Sequence, residues 1–313
     1  MPKLRLVFMG TPDFAIPSLE ILLNYGYDVA AVVTAPDKPQ GRGKSIKPSP
    51  IKLAAAAHNL PILEPNNLKS LDFLTTLRSY QASLQVVVAF RVLPQVVWSM
   101  PILGTLNLHA SLLPQYRGAA PINWAIIHGE RETGVTTFFI EEAIDTGHIL
   151  LQAKEPIDKH DTAGTLYERL KHRGAQLVLK TVQAIEQGTY TTHPQPSIPA
   201  NLLKKAPKIY RQDCQINWRQ GATSIRNFIR GLSPRPGAWT ILDGKETKIL
   251  KTSQVAVTDL GPGVLRSDGQ HYLYVGTQRE AIAIEQLQPA GKKLMDIQAF
   301  LRGYQIKLNT KLQ

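Results

Sequence analysis

The feature of this sequence that most constrains the fold is a series of short apolar runs that alternate with segments of helical spacing. The first run, Leu4–Met9, ends at Gly10, which is typical of a strand buried in a parallel sheet. Helical spacing follows at 17–23 and 51–57, and further strands are predicted at 29–33, 84–89, 106–109 and 134–140. This alternation predicts an α/β fold, a doubly wound and mostly parallel sheet in an N-terminal domain.

The pattern changes after a long helix that Asp161 and Thr162 are predicted to cap and that runs toward Glu186. Residues 187–209 are dense in Pro and Thr and lack helical periodicity, which indicates a linker of semi-extended chain. Beyond it, short β-like runs separated by Gly-containing turns predict a small OB-like antiparallel β-barrel, with strands at 238–242, 247–250, 263–267, 271–275 and 281–287. Helices are predicted at 221–231 and 295–302. We therefore predict a catalytic domain at 1–189, a linker at 190–208 and a second domain at 209–313.

Composition excludes several classes of protein. No run of 18 apolar residues is present, and MPKLRLVFMG lacks the layout of a signal peptide, so we expect a cytoplasmic protein without a membrane partner. The single cysteine, Cys214, excludes an intrachain disulfide and a cysteine-cluster metal site. The turn at Gly10 does not continue into Gly-x-Gly-x-x-Gly, so a dinucleotide is not indicated, and no motif indicates a catalytic metal.

The positive charge is unevenly distributed along the chain. Residues 200–313 hold 18 Lys and Arg against 8 Asp and Glu, a net of +10 out of the chain's +12. A basic surface can serve solubility alone, but its concentration in one third of the chain favours a polyanionic partner such as nucleic acid.

The segment from Leu106 to Leu150 contains the candidate catalytic residues. Asn107 and His109 are two residues apart in a predicted strand, so both side chains point to one face, and Asp145 follows in the turn Ile144–Gly147. An amide and an imidazole that converge can hold a carbonyl oxygen that becomes an oxyanion, and a nearby carboxylate can orient the imidazole or accept a proton. Taken alone, however, Asn-x-His is common and usually structural, and Asp145 could be an ordinary turn residue.

A second candidate region is the basic stretch TAPDKPQGRGKSIKPSPIK between Thr34 and Lys52. It holds five basic residues against the single acid Asp37, and glycines flank Arg42, so the backbone there can approach another molecule closely. Composition alone leaves a solvated surface loop as an equal alternative, although long loops in compact domains are more often functional.

These motifs resemble those of the folate-dependent formyltransferases. Asn-x-His, Ser-Leu-Leu-Pro at 111–114, Arg-Gly-x-x-Pro at 117–121 and Asp-x-Gly at 145–147 are similar to that family's active-site signature. Three further stretches resemble the branch of the family that formylates methionyl-tRNA, and they are VFMGTPDFA at 7–15, GRGK at 41–44 and IRGLSPRPGAW at 229–239. One position departs from the pattern, because Phe90-Arg91 stands where an aromatic residue followed by glycine is expected.

The resemblance implies transfer of a formyl group from 10-formyltetrahydrofolate, a co-substrate, to the α-amine of methionine on initiator tRNA. It implies catalytic roles for Asn107, His109 and Asp145, with no covalent enzyme intermediate. It also implies folate contacts from the loop Ser111, Leu112, Leu113 and Pro114, mostly through backbone and apolar surface. Arg42 and Lys44 are implied to contact the acceptor end of the tRNA. Arg117 either orders its loop or meets substrate.

Two other functions compete with this one. A relative with the same core chemistry could act on a sugar amine or on glycinamide ribonucleotide, or could hydrolyse formyl-folate, but none of these three activities needs both a basic loop and a basic second domain. A non-catalytic RNA-binding protein could retain the fold, but the intact set of Asn107, His109 and Asp145 argues against it. We expect the protein to act as a monomer.

Overall fold

The computed structural model of the protein describes residues 4–40, 45–306 and 310–312. The described residues form two compact units, and each gathers segments that are distant in sequence. The first unit takes its residues from Met1–Gly118, Thr133–Glu155 and Tyr167–Lys205, and the second from Ala119–Glu132, Pro156–Leu166 and Ala206–Gln313. Packing therefore groups two short segments that precede residue 189 with the residues that follow 205.

The regular elements follow one another along the chain with short connections in most places. The strands are β1 (Arg5–Gly10), β2 (Asp28–Val33), β3 (Lys38–Gln40), β4 (Ser45–Lys47), β5 (Ile62–Leu63), β6 (Leu84–Val88), β7 (Thr105–His109), β8 (Arg117–Gly118), β9 (Glu132–Phe139), β10 (Ile149–Pro156), β11 (Lys205–Ala206), β12 (Ala238–Leu242), β13 (Lys245–Val255), β14 (Leu265–Ser267), β15 (Leu273–Gly276), β16 (Ala281–Pro289) and β17 (Met295–Asp296). The α-helices are α1 (Ile16–Asn24), α2 (Pro50–Ala57), α3 (Leu71–Ser79), α4 (Gln95–Trp98), α5 (Pro121–Ile127), α6 (Ala163–Gln187), α7 (Ala222–Leu232) and α8 (Ile297–Arg302).

A seven-stranded sheet forms the centre of the first unit, in the order β10-β9-β7-β6-β1-β2-β5. The pairs β1–β2, β1–β6, β6–β7 and β2–β5 are parallel, and β7–β9 is antiparallel. The mostly parallel sheet predicted from the sequence is confirmed. Its central strands read as continuous apolar runs because both of their faces are covered, as the full burial of Leu84–Val88 illustrates.

Several elements of this unit were not predicted from the sequence. Helix α3 follows Ser70 and buries Phe73 and Leu77, which are four residues apart on one face. Strand β10 lies at the edge of the sheet, and most of its residues are at least partly exposed. An edge strand that buries little side-chain area has no strong apolar alternation, so its sequence carries only a weak strand signal.

Strand β7 carries the candidate residues Asn107 and His109, and its other face is packed against helix α6. Leu106 and Leu108 are buried at 0% and 3% exposure. Gly174 of α6 lies so close to Leu108 that a Cβ atom built on this glycine would come within 2.6 Å of Leu108 Cδ2. The absence of a side chain at position 174 therefore lets the helix approach the strand that carries the candidate residues.

The second unit contains the predicted antiparallel sheet. Five strands follow in the order β12-β13-β16-β15-β14, and β17 pairs with β16. Residues alternate between buried and half-buried along β12, and helix α7 buries Ile225, Ile229 and Leu232 in the same core as Ile249 and Val275. Helix α7 thus packs its apolar face against one face of the sheet, and Ile297, Phe300 and Leu301 of α8 join the same core.

Among the helices that the structure describes, none combines the length and apolar character needed to cross a bilayer.

We predict that Gly174→Val lowers the free energy of unfolding by about 1–3 kcal/mol, because the added methyl groups must displace Leu108 in a close-packed core. Gln176→Ala, at an exposed position of the same helix, is the control and should change it by less than about 0.5 kcal/mol. Urea unfolding of the two variants measures both effects. Equal stability of Gly174→Val and wild type would show that helix α6 can move away from β7 without cost.

Candidate active site

Asn107 and His109 lie at the carboxyl end of β7 on the face opposite Leu106 and Leu108, as alternation predicts. Asn107 is half-buried between Val87 of β6 and Phe138 of β9. Within the described part of the chain, no hydrogen bond involves its side-chain amide. A fixed strand therefore presents an amide whose two donors are available to a bound molecule.

The His109 ring is 8% exposed and has a different protein group next to each of its nitrogens. Its Nε2 is 2.9 Å from the Tyr116 carbonyl oxygen, and because a carbonyl only accepts, Nε2 carries the hydrogen and donates it. Its Nδ1 is 3.8 Å from Asp145 Oδ2, which is too long for a hydrogen bond but within ion-pair range. The Nδ1 edge is thus the side of the ring where another polar atom can enter.

Asp145 is held in a left-handed backbone conformation, with φ of 56°. Its Oδ2 accepts a 2.9 Å hydrogen bond from the Gly118 amide, and its side chain is 13% exposed. The turn continues to Gly147, where a Cβ atom would lie only 1.7 Å from the Phe139 carbonyl oxygen. The Asp-x-Gly spacing therefore has a physical cause, because only glycine lets the turn pass this close to the end of β9.

The loop Ser111–Pro114 leaves β7 and is anchored by two polar side chains. Thr136 Oγ1 donates to the Ser111 carbonyl at 2.7 Å and accepts from the Leu113 amide at 3.2 Å. Gln152 Nε2 donates to the Leu113 carbonyl at 3.0 Å and to Thr136 Oγ1 at 2.9 Å. These contacts set the loop directly beyond His109, which pairs with Thr136 across β7 and β9.

The side chains of this loop are mostly turned inward. Ser111 is fully buried, and its hydroxyl donates to the Gln115 carbonyl at 2.7 Å. Leu113 is 4% exposed, Pro114 is buried, and Leu112 is half-buried. The loop therefore offers a ligand backbone atoms and apolar surface more than polar side chains.

Arg117 orders its own surroundings. Its Nε and Nη2 donate to Gln195 Oε1 at 3.0 and 2.5 Å, and Gln195 Nε2 donates to the carbonyls of Asp145 and Gly147 at 2.8 and 2.9 Å. Of the two roles left open by the sequence, these contacts favour the ordering of the loop. Sequence analysis missed Thr136, Gln152 and Gln195, because none belongs to a motif and each reaches the site from a distant segment.

The basic stretch lies partly outside the described residues. Strands β3 and β4 form a hairpin in which Lys38 is paired with Lys47, and Arg42 and Lys44 belong to the residues between them that the structure does not describe. Lys52 lies in helix α2, where Nζ is 2.7 Å from Asp37 Oδ2 and 2.8 Å from Glu64 Oε2. The hydrogen bond to Asp37 and, to a smaller extent, the hydrogen bond to Glu64 raise the pKa of Lys52. Lys52 is therefore paired with two carboxylates, and fewer cations of the stretch are available to another molecule than its composition suggests.

Arg91, the departure from the family pattern, binds backbone rather than facing open solvent. Its guanidinium donates to the carbonyls of Pro65 and Asn66, and burial lowers its pKa. It borders an open cavity of about 490 Å³, whose wall is also formed by Asn66, Asn67, Leu68, Lys69, Val92, Leu93 and Pro94. The arginine thus bridges the loops that follow β5 and β6.

Among the residues that the structure describes, no group of three or more His, Cys, Asp or Glu side chains is arranged to hold a metal ion.

Comparison with known proteins gives matches over nearly the whole chain. Residues 4–182 match the family model described as formyl transferase, and residues 208–305 match the formyl transferase C-terminal domain. A methionyl-tRNA formyltransferase of Bacteroides fragilis is 47% identical over 310 residues, which is 97% of this chain and 96% of that protein. A methionyl-tRNA formyltransferase of Azobacteroides pseudotrichonymphae is 50% identical over 311 residues, covering 96% of each chain.

Solved structures with low sequence identity share the fold. The sugar 3N-formyltransferase WlaRD, solved with dTDP and 5-N-formyl-THF, is 23% identical with a TM-score of 0.67, and the match covers 94% of this chain and all of that one. HypX from Aquifex aeolicus in complex with tetrahydrofolic acid is 19% identical with a TM-score of 0.65, and the match covers 98% of this chain and 50% of that one.

Two threonines of β9 give a matched test of how the loop Ser111–Pro114 is held. We predict that Thr136→Val lowers the free energy of unfolding by about 1–3 kcal/mol, because the Ser111 carbonyl and the Leu113 amide each lose a buried hydrogen-bond partner. Thr133 is 3% exposed, and its hydroxyl has no partner within the described part of the chain. Thr133→Val should therefore leave the free energy of unfolding unchanged or raise it slightly. Denaturant unfolding compares the two, and equal losses would contradict the anchoring role of Thr136.

Proposed function

The chain belongs to the methionyl-tRNA formyltransferase family, and from that premise we propose how its residues carry out the reaction. The protein transfers a formyl group from 10-formyltetrahydrofolate to the free amino group of methionyl initiator tRNA, and so supports translation initiation. The observation that carries the assignment of residues is the unused amide of Asn107 on the same face of β7 as His109, whose ring lies 3.8 Å from Asp145.

We assign the stabilisation of negative charge to Asn107 and His109. When the methionyl amine attacks the formyl carbon, the electron pair of the carbonyl moves to the formyl oxygen. The Asn107 amide donates a hydrogen bond to that oxygen, where the bond strengthens as charge develops. A His109 ring with hydrogens on both nitrogens donates from Nε2 to the Tyr116 carbonyl and from Nδ1 toward the reacting groups.

Asp145 is assigned to proton transfer in the reaction. The attacking amine must lose a proton, and the folate nitrogen that departs must gain one. Asp145 Oδ2 is occupied by the Gly118 amide, whereas Oδ1 has no hydrogen-bond partner among the described residues. We assign Oδ1 as the acceptor of the amine proton through a water molecule, and His109 or water as the group that protonates the leaving nitrogen.

The folate contacts are proposed to come from the backbone of Ser111, Leu112, Leu113 and Pro114. Support comes from the inward-facing side chains of this loop and from its anchoring by Thr136 and Gln152 next to His109. A loop whose backbone is held on both sides loses little conformational freedom when a ligand binds.

Electrostatic attraction is proposed to hold the tRNA. The net charge of +10 over residues 200–313 supports a phosphate-binding surface in the C-terminal part of the chain. Some cations there are already paired, as in Arg266 with Asp259 and Lys251 with Glu285. The number of cations available to bind phosphate is therefore smaller than the number of basic residues.

We further propose the organisation 1–189, 190–208 and 209–313 for the catalytic, linker and tRNA-binding parts. The protein is proposed to act as a monomer, because Asn107, His109 and Asp145 all come from one unit of one chain. We place it in the cytoplasm, where translation starts. Light scattering on the purified chain tests the monomer, and a mass of twice 34.7 kDa would contradict it.

The acceptor is tested by formylation assays with labelled donor on charged initiator tRNA, charged elongator methionine tRNA and a dTDP-amino sugar, side by side. We expect rapid formylation of the initiator tRNA and none of the sugar. Preference for the sugar would reassign the protein to another branch of the formyltransferases.

We predict that Asn107→Ala, His109→Ala and Asp145→Ala each lower kcat by about 100-fold or more, which is the scale for a lost oxyanion donor and, for Asp145, for a lost general base. Quenched-flow formylation at saturating substrates measures the loss, and circular dichroism checks the fold. The control is Ser99→Ala, an exposed position that precedes β7, which should retain wild-type kcat. A folded Asn107→Ala or His109→Ala protein with near wild-type turnover would remove this mechanism.

We predict that Arg42→Ala with Lys44→Ala weakens tRNA binding and reduces the slope of log affinity against log salt by up to about 2, one per lost phosphate contact. Folate affinity should stay within about twofold, a difference below 1 kcal/mol. Arg78→Ala with Lys180→Ala removes the same charge from exposed positions and should leave the slope unchanged. An equal slope for both double variants would assign Arg42 and Lys44 to a solvated loop.

A further inference from the structure

The segment predicted as a linker contains one residue that differs from its neighbours. Residues 191–197 are exposed except for Gln195, which is half-buried. The segment is fixed beside the turn that contains Asp145, because His193 and Ile149 exchange both backbone hydrogen bonds, at 2.8 and 2.9 Å. Position 195 lies two residues further along this extended chain and therefore faces the same side as His193.

The hydrogen bonds of Gln195 use both polar atoms of its amide. Its oxygen accepts twice from Arg117, and its nitrogen donates to the carbonyls of Asp145 and Gly147. Arginine can only donate and a carbonyl can only accept, so this network allows a single orientation of the amide. Gln195 thus connects a charged side chain to two carbonyls of the turn that presents Asp145.

The dipeptide Arg117–Gly118 is connected to Asp145 by two sets of hydrogen bonds. Gly118 donates directly to the carboxylate, and Arg117 acts through Gln195 on the main chain. Asp145 has a positive φ of 56°, a conformation that non-glycine residues adopt at a cost and that persists when the surroundings hold it. The two sets of hydrogen bonds together determine where the carboxylate lies relative to His109.

We propose that Gln195, held by Arg117, is a positioning residue that fixes the Asp145 turn for catalysis, so that the segment predicted as a linker, 190–208, also completes the active site. The proposal rests on the catalytic role proposed for Asp145. Gln195 touches no reacting atom. It keeps the Asp145 carboxylate next to the Nδ1 edge of His109, where a small displacement of a catalytic group is costly in rate.

Gln195→Glu gives the most specific test. It keeps the side-chain shape and the oxygen that accepts from Arg117, but it replaces the nitrogen that donates to the two carbonyls with a second oxygen, which can only accept. We expect kcat for formyl transfer to fall by about 10-fold or more. KM for methionyl-tRNA should stay within about threefold, since no substrate contact is removed. Arg117→Lys keeps the positive charge but loses the pair of N–H donors to Gln195. We expect kcat to fall less in this variant than in Gln195→Glu.

A control glutamine lies in the same region. Gln115 also anchors the segment 190–208, through hydrogen bonds with Leu202 and Lys204, and none of its described hydrogen bonds reaches the Asp145 turn. Gln115→Glu should retain kcat within about twofold. An equal loss in both glutamate variants would mean that the segment is merely tethered and would overturn the proposal. So would wild-type kcat in Gln195→Glu.

A double-mutant cycle decides whether Gln195 acts through Asp145. In the Asp145→Ala background, Gln195→Glu should lower kcat by no more than about threefold further, because the group it positions is already gone. The same fold-loss in both backgrounds would overturn the proposal. If Asp145→Ala alone leaves kcat unchanged, the catalytic role of Asp145 fails, and this result is distinct from a failure of Gln195 alone. Thermal melting of every variant separates lost activity from lost fold.

Discussion

The site depends on the packing of one face of strand β7 against helix α6. Leu106 and Leu108 must be buried, and the glycine at 174 lets helix α6 cover them closely. Because successive residues of a strand point to opposite faces, this burial forces Asn107 and His109 to the other face at the end of the strand. Hydrophobic packing thus places both polar groups on one face; His109 is held further by the Tyr116 carbonyl, whereas Asn107 keeps its donors available for a bound molecule.

The groups around that strand are held by side chains that bind backbone. Thr136 and Gln152 hold the loop Ser111–Pro114, and Gln195 holds the turn at Asp145. Loops cannot satisfy their buried carbonyl and amide groups by a regular ladder, so these side chains supply the missing partners. The same contacts that stabilise the fold therefore set the geometry of the proposed catalytic groups. A site built in this way requires little rearrangement when the reaction generates charge.

The sequence predicted those parts whose signal is local. Apolar runs located β1, β6 and β7, and a short β-like run bounded by a turn located β12, because burial and chain reversal leave their marks in adjacent residues. The convergence of Asn107 and His109 on one face follows from the alternation of side chains along a strand. Gln195 could not be found in this way, since its contacts cross 48 to 78 residues. The pairing of Lys52 with Glu64 was missed for a similar reason, because a count of charges within one stretch cannot include an acid from the next.

The central claim is that Asn107 and His109 hold the oxygen on which negative charge develops. The most direct test is a crystal structure of the protein with a stable bisubstrate analogue that joins a folate to a methionyl-adenosine through a tetrahedral carbon. We predict that the oxygen on that carbon lies about 2.7–3.1 Å from Asn107 Nδ2, with the His109 ring adjacent. An oxygen more than about 4 Å from both side chains, beyond any hydrogen bond, would contradict the claim.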